Sequence, residues 1–307
     1  MGRMGLGLAA IGRPAYINLG RARDLGADRS VGALRAQAEA LLDAARAAGI
    51  DWIDTARSYG RAEEFLAGWL RGRDVPAGAL TISSKWGYAY TGGWRMDADV
   101  HEAKQLTGDQ LRRQLAESRE LLRDHLSLYQ IHSATLESGV LEDADVLGQL
   151  AELRASGVRV GLSTTGPRQG ETIDRAVATG RFDAVQATWN LHERSAGPAL
   201  ERARAAGLRV LVKEGVANGR LAADAAPAPL RAAAAERATT PDALALAAIL
   251  ERPWADVVLS GAVTPAMLAS NLAARDLDWD DELEQALAGL AEEPEAYWRT
   301  RAALAWA

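Results

Sequence analysis

The sequence predicts an α/β protein of the (β/α)8 TIM-barrel class. Eight short apolar runs bounded by Gly, Asp or Pro recur at spacings a helix can fill, as repeated βα units of a parallel sheet require. The 307-residue length fits one such barrel as a single domain spanning 1–307, and no internal repeat is evident. An open doubly wound sheet is the second choice.

The first run, 4–10, is rich in glycine and leads into the charged stretch GRARDLGADR, so it reads as a strand and not as a signal peptide. The others are 50–54, 80–84, 126–131, 158–163, 182–187, 208–213 and 257–260. Between them lie amphipathic stretches such as 31–48 and 111–122, with apolar residues at helical spacing beside Arg, Glu and Gln. Thr240-Pro241 and Thr264-Pro265 have the form of an N-cap followed by proline at the first helical position. Connections 11–30, 86–107 and 215–240 are too long to be tight βα turns. The second carries Trp86, Tyr88, Tyr90, Trp94, His101 and Lys104, and its four large aromatic residues are expected to wall a substrate pocket. The tail, 277–307, with Trp279, Tyr297, Trp298 and Trp306, is expected to form a C-terminal helical extension that covers the barrel or closes the site.

With 35 basic against 41 acidic residues, the formal charge is -6, which argues against general affinity for nucleic acid or an anionic membrane. A small-molecule partner fits better. The absence of cysteine rules out disulfides, thiolate metal sites and a cysteine nucleophile. No stretch approaches the roughly 18 unbroken apolar residues of a membrane span. The expected compartment is the cytoplasm, and a monomer and a homo-oligomer are both consistent with the sequence.

Four residues lie at or just beyond the C-terminal ends of predicted strands, where parallel α/β proteins place their chemistry: Asp54, Tyr59, Lys85 and His132. They occur within Gly49-IDWI-Asp54-Thr55-Ala56-Arg57-Ser58-Tyr59-Gly60 followed by Glu63-Glu64, within Ser84-Lys85, and within Leu128-Tyr129-Gln130-Ile131-His132. Further along come Gly161-Leu162-Ser163, Val185-Gln186 with Trp189-Asn190, and Thr264-Pro265 through Asn271. In this order and across most of the chain, the motifs resemble those of the aldo-keto reductase superfamily. The resemblance implies interconversion of an aldehyde or ketone and an alcohol, with NADP or NAD as cofactor.

Physical chemistry supports the same assignment. A tyrosine hydroxyl with an ordinary pKa near 10 is a poor acid at neutral pH, and a nearby ammonium lowers it. Lys85 is expected to supply that charge, Asp54 to hold Lys85, and His132 to hydrogen-bond the substrate oxygen or assist proton passage. Tyr59 is then the general acid in reduction and the base in oxidation. No metal is needed.

The resemblance also implies cofactor contacts. Ser163, Thr164 and Gln186 match positions that hold the nicotinamide carboxamide, Thr164 standing where an Asn is usual. Lys213-Glu214 replaces the aromatic residue that stacks on nicotinamide in many members. It is expected either to cover the ring or contact pyrophosphate and ribose, or to be a structural ion pair. Around the last strand, Ser260, Gly261, Ala262, Thr264, Met267, Ser270 and Asn271 occupy the adenosine end. Relatives that prefer NADP carry basic residues there, whereas Gly261, Val263 and Met267 offer no such clamp. Weakened NADP preference is expected unless Arg220 or another loop residue restores the charge. The alternatives are a cofactor-binding regulatory protein, in the manner of potassium-channel β subunits, an NAD-linked aldose or alcohol dehydrogenase working in the oxidative direction, and an aldolase-like barrel using Lys85 as a Schiff-base nucleophile.

Overall fold

In the computed structural model, which describes residues 3–306, the eight runs become the parallel strands of a closed barrel. In chain order the strands are β1 Arg3–Gly7, β2 Trp52–Asp54, β3 Thr81–Trp86, β4 Tyr88–Tyr90, β5 Glu102–Lys104, β6 Leu126–Ala134, β7 Arg159–Thr164, β8 Ala184–Thr188, β9 Arg209–Lys213 and β10 Val257–Ser260. The barrel order is β1-β10-β9-β8-β7-β6-β3-β2, and β4 and β5 form a separate antiparallel pair. The first strand ends at Gly7 instead of residue 10, because its ladder stops at the Gly7–Asp54 pairing and the chain then turns.

The helices start where their caps direct. Ser30 accepts from Ala33 N at 3.2 Å to begin Val31–Ala47, and Thr240 and Thr264 accept from Ala243 N and Met267 N at 3.3 and 3.2 Å. Thr107 caps Gly108–Leu122, so that helix starts three residues before its apolar periodicity does. The long connections are largely structured. A short helix, Arg21–Leu25, lies in the first, the β4/β5 hairpin in the second, and the helix Ala228–Glu236 in the third. The tail contains two helices, Asp281–Leu287 and Pro294–Ala302. Its Leu283, Leu287, Tyr297 and Trp298 pack with Leu230 and Leu244 as a satellite core.

Inside the barrel, period-two alternation creates layers of opposite polarity. Trp52, Leu128, Ala184, Leu211 and Val257 make an apolar plug, each buried. Two residues further along four of these strands stand Asp54, Gln130, Gln186 and Lys213. Burial of a Leu or Val side chain in such a plug contributes roughly 1.5–3 kcal/mol, and it leaves the polar layer at the end where the loops gather. No described helix is long and apolar enough to cross a membrane.

Two glycines bring the β1 loop against the loop after β2. Arg61 N donates to Gly12 O at 2.7 Å, and Gly60 adopts φ 60° there. A Cβ on Gly12 would lie 2.2 Å from Tyr59 O and 2.4 Å from Ala62 Cβ. Backbone must then move. Gly12→Ala is expected to cost about 1–3 kcal/mol through overpacking, read as a fall of several degrees in the thermal midpoint; an unchanged midpoint would show that the loops separate freely.

Candidate active site

Asp54, at the end of β2, is held by four donors inside the barrel. Lys85 Nζ lies 2.5 Å from its Oδ2, while Ser83 Oγ, Gln186 Nε2 and Gln130 Nε2 reach Oδ1 at 2.7, 3.1 and 3.4 Å. Lys85 also donates to Thr55 O at 2.9 Å and is fully buried. Two buried opposite charges justify their desolvation only with close geometry and further hydrogen bonds, and both are present.

Tyr59 packs beside this pair. Its ring centroid is 4.9 Å from Lys85 Nζ, 5.4 Å from the Arg13 guanidinium carbon and 5.5 Å from the His132 ring, which meets it edge-on. His132 is placed by an irregularity in the β6/β7 pairing between Ile131 and Ala134, where Ser133 takes φ 56°. Ser58 Oγ lies 3.4 Å from its Nδ1.

The electrostatics differ from the sequence expectation in one respect. Burial and then the Asp54 charge push the Tyr59 phenol well above its ordinary value, and Arg13 is the cation that opposes them. Lys85 does not outweigh burial at Tyr59, because Asp54 lies 2.5 Å from its ammonium and offsets much of its charge. The phenol is protonated. His132 is driven the other way, first by burial and then by Lys85, Lys213, Arg13 and Lys104, so its imidazole is neutral at neutral pH.

All four residues meet at the C-terminal mouth of the barrel, and Asp54, Tyr59 and His132 border a cavity of about 740 Å3. Of the four aromatic residues expected to wall a pocket, only Tyr88 borders it. Trp86 is fully buried, because Lys85 faces the barrel interior and strand alternation sends its neighbour into the helical layer. Tyr90 and Trp94 brace the hairpin instead: Trp94 N donates to Tyr90 Oη at 3.1 Å, and Trp94 Nε1 to Arg29 O at 2.8 Å.

The cavity floor carries Gln186, Lys213 and Glu214. Lys213 Nζ donates to Thr188 Oγ1 at 2.8 Å and lies 3.8 Å from Glu214. Arg301, from the tail, grips Glu214 with Nε–Oε2 at 2.8 Å and Nη2–Oε1 at 2.5 Å. Burial lowers Lys213 to about 8, whereas burial pushes Glu214 upward but is outweighed by Arg301 and Lys213, leaving it at about 2. Ser163 and Thr164 are fully buried and do not line the cavity. Ser163 Oγ instead accepts from Ser133 N at 2.8 Å, and Thr164 Oγ1 lies 3.5 Å from Gln186 O.

At the far end, Ser260, Gly261, Ala262, Met267, Ser270 and Asn271 border the cavity, while Thr264 caps its helix away from it. Asp242 joins them, its Oδ2 accepting from Ser270 Oγ at 2.8 Å and Asn271 Nδ2 at 2.6 Å. Arg220, a sequence candidate for restoring positive charge here, is instead paired with Glu292. The open flank of Gly261, the helix N-terminus at Pro265 and the amides of Gln186 and Asn271 fit an elongated dinucleotide. The sequence reading missed Arg13, Tyr16, Arg23, Glu102, Asp242 and Arg301 as cavity residues, whereas Trp306 lies in the tail expected to cover the barrel or close the site. Their only forward signal was the excess length of the loops and tail.

A model of the aldo/keto reductase family matches residues 30–292. Two solved structures from Pseudomonas aeruginosa, aldo-keto reductases by assignment, superpose over 90% of this chain and 90% of theirs, with TM-scores of 0.65 and 0.63 at 28% and 26% identity. An aldo-keto reductase from Bacillus halodurans in its holo form superposes with a TM-score of 0.70 over 95% of this chain and 92% of its own; at 19% identity it shows the fold alone. No curated protein matches the sequence.

The burial of Lys213 carries a pH signature. A lysine held at about 8 when folded binds fewer protons than the unfolded chain between that pH and its ordinary value of 10.5. Stability should therefore rise between those two pH values, as denaturant unfolding can measure, and Lys213→Met should abolish that part of the rise. The same slope in both proteins would contradict the assignment.

Proposed function

The chain belongs to the aldo/keto reductase family of oxidoreductases, and from that premise we propose that it interconverts an aldehyde or ketone and an alcohol by hydride transfer, using NAD in preference to NADP. The observation carrying this reading is a single cavity that joins a protonated Tyr59 beside neutral His132 to a far end where Gly261 and Met267 stand in place of a basic clamp.

The nicotinamide, when bound, supplies or accepts the hydride. Gln186 would hold its carboxamide, and Ser260, Asn271 and the helix beginning at Pro265 would hold the adenosine end. The substrate oxygen takes a hydrogen bond from Tyr59 O–H and a second from His132, whose neutral ring carries one N–H. As negative charge develops on that oxygen, Tyr59 passes its proton. The phenolate left behind is stabilised by Lys85 and Arg13, both about 5 Å from its ring. Asp54 keeps Lys85 in place. In oxidation the same phenolate receives the alcohol proton, and use of NAD favours that direction, as with an alcohol or sugar lactol.

NAD follows from charge. Gly261 and Met267 offer no cation, Arg220 is held by Glu292, Arg23 on the cavity wall lies 3.6 Å from Asp24, and Asp242 places a carboxylate beside Ser270 and Asn271. That carboxylate disfavours a 2′-phosphate. The lysine Schiff-base alternative is weakened because Lys85 Nζ is engaged by Asp54 and Thr55 O and does not border the cavity. A regulatory role draws its support from the Lys213–Glu214–Arg301 cluster in place of an aromatic platform. Stopped-flow mixing of reduced-cofactor complexes with a carbonyl panel separates it, since absence of hydride transfer to every member would favour regulation.

Tyr59→Phe is expected to reduce kcat at least about 100-fold while cofactor affinity, measured by fluorescence quenching, changes little; undiminished turnover would remove Tyr59 from the proton-transfer role. With wild-type protein, kcat/KM should be higher with NADH than with NADPH, and Met267→Arg should shift the ratio toward NADPH. A several-hundredfold NADPH preference in the wild type would overturn the NAD assignment.

A further inference from the structure

One end of the cavity contains a charge pair that the proton-transfer scheme leaves partly unused. Arg13 is only 1% exposed although it borders the cavity, and its Nη1 lies 2.8 Å from Glu102 Oε1 and 3.2 Å from Ser58 O. The guanidinium carbon faces three rings, with centroids 5.0 Å away for Tyr16, 5.4 Å for Tyr59 and 4.8 Å for Trp306. Trp306 is itself held by stacking on His101, at 4.3 Å and 12°. Arg13 Nε is buried with no hydrogen-bond partner. A buried donor in that state calls for a ligand or water acceptor.

We propose that Arg13 and Glu102 form a specificity site that reads a neutral hydroxyl group near the reacting carbonyl and disfavours a carboxylate there. This rests on the oxidoreductase reading above and names the substrate class it leaves open.

An isolated arginine beside Tyr59 would be a receptor for keto acids, since a guanidinium matches a carboxylate fork. Glu102 changes that outcome. Its carboxylate lies against Arg13, its side chain is 17% exposed, and it borders the same cavity. An anionic substrate group seeking Arg13 would lie beside a like charge. A hydroxyl meets no such penalty, because it accepts from Nε–H and donates to the Glu102 carboxylate at once. The Tyr16 and Trp306 rings supply apolar faces for the C–H side of such a molecule. Arg13 sits close to Tyr59 because Gly12 and Gly60 let their loops touch, which keeps the read hydroxyl close to the carbon undergoing hydride transfer.

The test uses glycolaldehyde, with a hydroxyl on the carbon next to the aldehyde, and glyoxylate, whose carboxylate is bonded directly to the aldehyde carbon. A third aldehyde, 4-nitrobenzaldehyde, has neither group. At saturating reduced cofactor, wild-type kcat/KM should favour glycolaldehyde over glyoxylate at least tenfold, and Glu102→Gln should narrow that ratio at least tenfold or reverse it. A wild-type preference for glyoxylate overturns the proposal, as does a ratio within twofold of wild type in a folded Glu102→Gln protein. If that variant does not fold, the wild-type ratio decides alone. Turnover of 4-nitrobenzaldehyde without preference between the other two removes the Arg13–Glu102 role and leaves the oxidoreductase reading standing. No turnover of any carbonyl removes both.

Discussion

The buried contact between Lys85 and Asp54 organises the mouth of the barrel. Neither charge would be tolerated alone at that depth, so the surrounding residues supply what water would have: Ser83, Gln130 and Gln186 donate to the carboxylate, and Thr55 O accepts from the ammonium. The donors come from β3, β6 and β8, so one carboxylate ties four barrel strands together. Tyr59 and His132 are then arranged around a fixed point. The apolar plug beneath, Trp52, Leu128 and Leu211 among its members, makes that point dry.

Dryness also separates the protonation behaviour of the two candidate proton-handling groups. Burial raises the Tyr59 phenol and lowers the His132 imidazole, because each loses its charged form. The ground state therefore contains a neutral acid and a neutral hydrogen-bonding ring. Charge appears only when a substrate oxygen starts to acquire it, and Lys85 and Arg13 are already in position. Arg13 reaches that place through close contact between two loops at Gly12 and Gly60.

The cavity floor is built from ions. Lys213 and Glu214 stay in place because Arg301 reaches from the tail to grip the carboxylate, while Thr188 bridges lysine and glutamate. The tail thereby connects directly to the floor of the site, and Trp306 extends it to the Arg13 end. Two regions far apart in sequence become one wall.

The barrel was legible because alternation of two and spacing of βα units are local properties of a chain. The same locality made Asp54, Tyr59, Lys85 and His132 readable, since each sits at a strand end and strand ends converge in a closed parallel barrel. What a side chain touches across the barrel is not local. Trp86 looked like pocket wall until strand alternation sent it into the helical layer, and Ser163 and Thr164 were taken up by backbone neighbours. Arg220 looked available until Glu292 met it, and Arg13, Glu102, Asp242 and Arg301 carried no pattern that marked them. The sequence by itself determined the barrel, its polar mouth and the four residues collected there, because these follow from periodicity and strand direction. Only the tertiary structure decided which charges neutralise one another, since pairing depends on separations between loops that the chain order leaves open.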